Sequence, residues 1–141
     1  MSRGVALALV RMGGRPCAIP CEHIVEIVPR VMLSSVPDSP PQVLGVINLR
    51  GRVVPVVDVR AKLADVGDAS LLPPYQHLVI VQAGTRQVGL AVDEVSEVRS
   101  VPSSDVEKPS DLARAMGPGV VRIDRELVLV VSPEDVLHAI G

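Results

Sequence analysis

The sequence predicts an all-β protein with short helices, built as two similar small barrels of about five strands each, packed together. Three observations lead there. Short runs rich in Val, Ile and Leu recur along the chain and are cut by Gly, Pro, Asp and Asn turns. The stretch VLGVINLRGRVVPVVDVR at 43–60 sets a tight turn, Arg50-Gly51-Arg52, between two β-branched runs, which is the pattern of a β-hairpin. An internal repeat aligns GVINLRGRVVPVV at 45–57 with GVVRIDRELVLVV at 119–131. It also aligns IPCEHIVEI at 19–27 with LAVDEVSEV at 90–98, matching Glu22 to Asp93 and Glu26 to Glu97.

The first strand covers Val5–Met12 and ends at Gly13-Gly14. Arg11 interrupts its apolar run and no small-residue cleavage site follows, so it reads as a strand rather than a secretory leader. Arg15–Pro20 and Ile24–Val28 are short strands around a turn at Cys21-Glu22-His23. Ser34–Gln42 holds Pro37, Pro40 and Pro41 and reads as a loop. The hairpin strands follow at Val43–Leu49 and Val53–Val59, and their nearly continuous apolar character predicts cover on both faces. Arg60–Ala64 suits one helical turn, and Asp65–Tyr75, with Gly67, Pro73 and Pro74, is the main linker.

In the second half, His77–Ala83 and Gln87–Val92 flank a turn at Gly84-Thr85, and Val95–Val98 continues the strand. A short helix is expected over Asp111–Met116, ended by Gly117-Pro118. Val120–Ile123 and Leu127–Val131 form another hairpin through Asp124-Arg125-Glu126. Ser132 can cap a last helix, with Pro133 in its first turn and Glu134 and Asp135 at its positive end. The chain thus reads as one domain, 1–141, with a first lobe at about 15–75 and a second at about 76–131. The N-terminal strand and C-terminal helix flank them.

Composition narrows function more than it names it. The chain is 48% hydrophobic but only 1% aromatic, so aliphatic side chains must build the core. Only Tyr75 could supply a ring for base or sugar stacking. Net charge is −2 and the 14 cationic residues are scattered, which disfavours a nucleic-acid or anionic-membrane surface. No run approaches the roughly 18–20 apolar residues that cross a bilayer, so a cytoplasmic location is expected. Cys17 and Cys21 read as small buried hydrophobes, with a disulfide or metal site as the alternatives.

Catalytic patterns are missing from the sequence. His23, His77 and His138 are far apart in ordinary contexts, and no nucleophile-elbow, zinc-protease, P-loop or dinucleotide motif occurs. No catalytic residue, metal or cofactor is therefore expected. Asp58 follows an apolar run and suits a strand-end cap that accepts backbone N–H groups of the next turn; Asp93 suits the same role. Arg50 is the residue singled out: a hairpin guanidinium that pairs with Glu26 on a neighbouring strand, or organises a partner surface, or does both.

These residues carry a resemblance. Gly45-Val46-Ile47-Asn48-Leu49-Arg50-Gly51, Val53-Val54-Pro55-Val56-Val57-Asp58-Val59-Arg60, Ile24-Val25-Glu26-Ile27 and Val88-Gly89-Leu90-Ala91-Val92-Asp93-Glu94-Val95 together resemble the CheW family of chemotaxis coupling proteins. The resemblance spans nearly the whole chain and implies a stand-alone coupling domain of two five-stranded SH3-like barrels with an apolar groove between them. It implies a non-enzymatic adaptor that links the regulatory domain of a CheA-type histidine kinase to chemoreceptor cytoplasmic tips. Such a protein would be a monomer outside the array, recruited from the cytoplasm to membrane-associated receptor arrays without inserting into the membrane.

By the same resemblance, Glu26 and Arg50 form a charged pair near the receptor-contacting surface. Ile24, Gly45, Val53, Val95 and Val98 fall on or beside the groove. Val54, Val56, Asp58 and Arg60, on the strand after the hairpin and the turn that follows, are the kinase-contacting candidates. On this reading Arg50→Asp and Gly45→Asp disrupt coupling and leave the fold intact. Ala6-Leu7-Ala8-Leu9 replaces the family's aromatic first strand, and Cys17-Ala18-Ile19-Pro20-Cys21 is unusual. The alternative is thus a diverged scaffold in a non-chemotaxis signalling system, such as surface motility or gene regulation, that binds only one of the two partners. A different class, a small-molecule-binding β domain, would need Asp58, Asp93 and a histidine around a polar pocket.

Overall fold

The computed structural model describes residues 4–63, 71–107 and 119–139. Its elements are β1 (Gly4–Met12), β2 (Arg15–Pro20), β3 (Ile24–Pro29), β4 (Val43–Leu49), β5 (Arg52–Val57), α1 (Arg60–Leu63), β6 (His77–Ala83), β7 (Arg86–Val92), β8 (Glu94–Pro102), β9 (Gly119–Ile123), β10 (Glu126–Val130) and α2 (Pro133–Ala139). The expected Asp111–Met116 helix and most of the 65–75 linker lie outside the described residues. The second hairpin strand stops at Val57, two residues short of expectation: the Asp58 carboxylate caps the next turn and Val59 packs into the apolar layer between the barrels.

Four two-residue hairpins organise the strands. Register pairs Met12 with Arg15, Leu49 with Arg52, Ala83 with Arg86 and Ile123 with Glu126. Tight hairpins of this kind need positive φ at the tip. Gly13 and Gly14 supply it at 65° and 80°, while Arg50 and Gly51 do so at 53° and 83°. In the last hairpin two side-chain-bearing residues, Asp124 and Arg125, take φ of 50° and 70°.

The strands form two five-stranded sheets, ordered β8-β1-β2-β10-β9 and β3-β6-β7-β5-β4. We refer to them as barrel I and barrel II. These orders overturn the expected lobe boundaries at about 15–75 and 76–131. Barrel I takes β1 and β2 from the start of the chain and β8–β10 from its end, whereas barrel II holds β3–β7. The repeat itself is real. Advancing every strand of the first half by five positions converts one sheet order into the other. Each repeat has therefore given its first hairpin to the other's barrel.

Burial explains the exchange. A hairpin covered on both faces needs two apolar layers, and one small barrel provides only one. Leu78 and Ile80 of β6 face the interior of barrel II with Val54, Val56 and Ala91, while Val79 and Val81 face a second layer with Val10, Met12, Cys17 and Ile19 of barrel I. That shared layer also takes Val88, Leu90 and Val92 of β7 and Val136 and Leu137 of α2. Leu7, Ala18, Val121, Val128 and Val130 fill barrel I. Each fully buried aliphatic side chain contributes about 1.5–3 kcal/mol, so the exchanged hairpins stabilise the fold twice over. Tyr75 is buried beneath the Arg30 guanidinium, 5.1 Å from the ring centroid, and offers no stacking platform.

Both sheets curl until their edges meet. In barrel II the chain after β3 returns along β4, where Ser34 and Val46 exchange backbone hydrogen bonds of 3.0 and 2.8 Å. In barrel I the chain after β8 returns along β9, where Glu107 and Val120 do the same at 2.8 and 3.1 Å. A glycine makes each approach possible. A Cβ on Gly45 would stand 2.5 Å from the Ser34 carbonyl oxygen, and one on Gly119 would overlap the Glu107 carbonyl.

Candidate functional site

The seam of barrel II carries the singled-out pair. β3 bulges at Val25, shifting register between Ile24, opposite Val81, and Glu26, opposite Ile80. The bulge sends Glu26 towards the seam. The hairpin tip brings Arg50 from the other edge, and its Nη1 lies 2.9 Å from Glu26 Oε1. That oxygen is buried and accepts no hydrogen bond, so the contact is an ion pair that the N–H direction does not follow. The guanidinium side is 78% exposed. Asn48 Oδ1 accepts the Gly51 N–H at 2.9 Å and fixes the tip.

The seam of barrel I repeats the design with other charges. β8 bulges between Val95, opposite Val10, and Glu97, opposite Leu9. Ile24 and Val95 are thus equivalent, as are Glu26 and Glu97, in agreement with the repeat alignment. Arg99 donates to Asp124 at the opposite hairpin tip at 2.9 Å and to Glu97 at 2.8 Å. Beside this seam lies a cleft of ≈160 Å³ lined by Leu9, Arg11, Glu97, Ile123, Asp124 and Val128 among others.

The residues expected at the groove do not form one surface. Ile24 and Val95 are half-buried and pack on the shared layer between the barrels. Val53 and Val98 are exposed at 66% and 64%. Gly45 is buried at the seam under Ser34, so a side chain there would open the barrel, contrary to the expectation that Gly45→Asp spares the fold.

The kinase-contacting candidates turn their side chains inward. Val54 and Val56 are fully buried in barrel II, and Asp58 and Arg60 are 7% and 3% exposed. All four side chains are thus covered in the free chain. Asp58 does cap its turn, with Oδ1 accepting the Arg60 backbone N–H at 3.0 Å. The same carboxylate accepts Nε and Nη2 of the Arg60 side chain, each at 3.0 Å. Arg60 Nη1 donates to Asp93 Oδ1 at 2.6 Å and to the Pro73 carbonyl at 2.8 Å. Burial opposes the Arg60 charge, but the hydrogen bonds to Asp58 and Asp93 outweigh it and keep the guanidinium protonated.

Sequence reasoning missed this junction. The D-x-R spacing at 58–60 was its one local signal, since a carboxylate and a guanidinium two residues apart can close on each other. Asp93 comes from 33 residues away and leaves no such mark.

Arg60 fills the space between the two aspartates, so they frame no ligand pocket, and the small-molecule reading loses its site. Cys17 is a buried free thiol, pushed up to about 12 chiefly by burial. Cys21, half-buried, is also free. Among the described residues no cluster of three or more His, Cys, Asp or Glu could hold a metal. No helix among them is long and apolar enough to cross a membrane.

Two closed barrels, an aliphatic core and charged seams define an all-β scaffold without a catalytic constellation among the described residues. Comparison with known proteins agrees. The CheW-like domain model matches residues 6–141, and the chain belongs to the CheW family. It is 34% identical over 138 residues to a chemotaxis protein CheW of Rhizobium meliloti, covering 94% of this chain and 87% of that one. It is 29% identical over 99 residues to protein FrzA of Myxococcus xanthus, covering 70% and 61% of the two chains. The crystal structure of the scaffolding protein TtCheW from Thermoanaerobacter tengcongensis superposes with a TM-score of 0.78 at 21% identity, over 94% of this chain and 87% of that one. The chain is a chemotaxis coupling adaptor, and both SH3-like barrels expected from the resemblance are present.

Proposed function

We propose that this protein joins the cytoplasmic tip of a chemoreceptor to the regulatory domain of a CheA-type histidine kinase, without catalysing a reaction itself. The observation that carries the reading is the Glu26–Arg50 seam: a solvent-facing guanidinium on a hairpin tip that is fixed by a half-buried carboxylate, a glycine turn and a side-chain cap. A receptor tip is a helical bundle, and its apolar stripe would lie on Ile24 and Val95 while its acidic groups meet Arg50. Val54, Val56, Asp58 and Arg60 then serve the kinase only by holding the barrel's shape. The protein is a monomer when free and joins membrane-associated arrays through its partners.

The test is calorimetric titration of the full chain with a receptor cytoplasmic fragment and, separately, with the kinase regulatory domain. Arg50→Ala should weaken receptor binding about tenfold, the equivalent of 1.4 kcal/mol, and Arg99→Ala should leave it unchanged. Equal losses from both variants, or none from Arg50→Ala, would remove the site.

A further inference from the structure

The two barrels touch through a layer of Val, Leu, Ile and Met side chains. Such a layer holds surfaces together without fixing their angle, because the hydrophobic effect has no direction. A directional contact can sharpen the orientation that packing leaves, and Asp93 has the geometry for it. It is the single residue between β7 of barrel II and β8 of barrel I. Its Oδ1 accepts the Arg60 guanidinium at 2.6 Å from the barrel II side. Its Oδ2 accepts the Gly14 N–H at 2.9 Å from the tip of the β1–β2 hairpin in barrel I, and its own N–H donates to the Arg11 carbonyl at 2.8 Å. Arg60 is anchored in turn by both oxygens of Asp58 and by the Pro73 carbonyl. Among the described residues this is the only side-chain hydrogen-bonded route from one barrel to the other.

We propose that the Asp58–Arg60–Asp93 junction is a positioning device that fixes the angle between the barrels, and with it the spacing of Ile24 and Val95. Val95 follows Asp93 by two residues, so any swing of the crossover moves that side of the rim directly. Arg60 suits the task because its planar fork reaches two carboxylates and a carbonyl at once, which a lysine ammonium cannot do with the same directions. In the repeat alignment Asp93 corresponds to Glu22, which is exposed on the 3₁₀ turn between β2 and β3 and lies 3.6 Å from His23. Among the described residues the other crossover therefore has no such pin, and the joint is held from one side only. The positional part of this inference stands on geometry alone; its effect on coupling rests on the receptor-binding reading above.

The experiment measures distances between spin labels by pulsed electron resonance. One pair joins Gln82 of barrel II to Arg122 of barrel I, and a control pair joins Ser100 to Arg122 within barrel I; all three positions are exposed. Cys21→Ser removes the half-buried thiol, and Cys17 stays protonated and buried. Asp93→Asn keeps the side chain's shape and removes its charge, and Arg60→Lys keeps the charge and removes the fork. In both, the distribution between barrels should broaden while the one within barrel I stays as narrow as in the parent.

A between-barrel distribution that stays narrow in a folded variant overturns the proposal, as does equal broadening of both pairs, which would signal general loosening. The same variants are then titrated with the receptor fragment, where a loss of about tenfold is expected. If the parent protein binds no receptor fragment but the distances behave as described, the pin stands and the receptor-binding reading falls.

Discussion

In barrel II the arginine stands at the hairpin tip and the carboxylate on the strand; in barrel I the carboxylate stands at the tip and the arginine on the strand. Arg50 is 78% exposed over a Glu26 that is 23% exposed, whereas Arg99 is 33% exposed beneath an Asp124 that is 75% exposed. One seam thus turns a cation towards solvent and the other an anion. Both close by the same backbone device, a glycine under a carbonyl and one pair of exchanged hydrogen bonds. Closure fixes the backbone, and the charges above it are left to differ. Their opposite sense suits surfaces that meet different partners.

The largest test of this comparison removes the shared device. Gly119→Ala and Gly45→Ala should each lose about 2–3 kcal/mol in urea unfolding, because the new methyl meets a backbone carbonyl that cannot swing aside. Gly119→Ala should lose more, since its methyl overlaps the carbonyl more deeply. A loss below about 0.5 kcal/mol at either site, the scale of neutral surface changes, would show that the seam relaxes and that closure depends on something else.

A second test separates stability from recognition. Arg50→Ala and Arg99→Ala should each leave the urea midpoint almost unchanged, as breaking solvent-facing pairs does. Urea midpoints should therefore rank the two seams alike, while receptor binding tells them apart. A large stability loss from Arg50→Ala would mean that the pair is structural and that its exposure misleads.

A third probes the layer between the barrels. Burial raises the Cys17 thiol from its ordinary value of 9.0 to about 12, with Asp93 adding to the rise and Arg15 and Arg11 opposing it. In the unfolded chain the thiol ionises near pH 9, while in the fold it keeps its proton. This contribution to stability is therefore complete below pH 9 and lost as pH rises towards 12, by up to about 1.4 kcal/mol per pH unit. Urea midpoints followed across that range should fall less steeply for Cys17→Ala than for the parent. Identical slopes would place the alkaline loss elsewhere.

The smallest effect concerns the two tips. Arg125 holds φ at 70° where the equivalent residue in barrel II is Gly51 at 83°. Arg125→Gly should raise stability by up to about 1 kcal/mol, the cost of a left-handed residue with a side chain, less the added chain entropy. A fall in the thermal midpoint would show that the Arg125 side chain makes a contact worth more than that strain.

Much of this was legible in the chain. The hairpins at 43–57 and 119–130, the turn glycines, the two-sided burial of the valine runs and the Glu26–Arg50 pair all follow from patterns within a few residues or from a repeat that can be aligned by eye. Strand identity is local, because β-branched residues and turn chemistry act over short spans. The equivalence of Glu26 with Glu97 was also visible, and the matching bulges at Val25 and Ser96 explain it.

Partnership between strands was not. The sequence by itself determined that there are two copies of one five-stranded unit made of aliphatic strands. Only the tertiary structure decided that each copy lends its first hairpin to the other. Either arrangement satisfies the same local pattern, and the exchanged one is selected by the shared apolar layer, which exists only once both barrels are assembled. The same cause hid the burial of Asp58 and Arg60. A charged pair after a strand looks solvent-facing until a carboxylate 33 residues away arrives to complete its hydrogen bonds. Desolvating a guanidinium is tolerable only where such partners converge, and that convergence is a property of the fold and not of the segment.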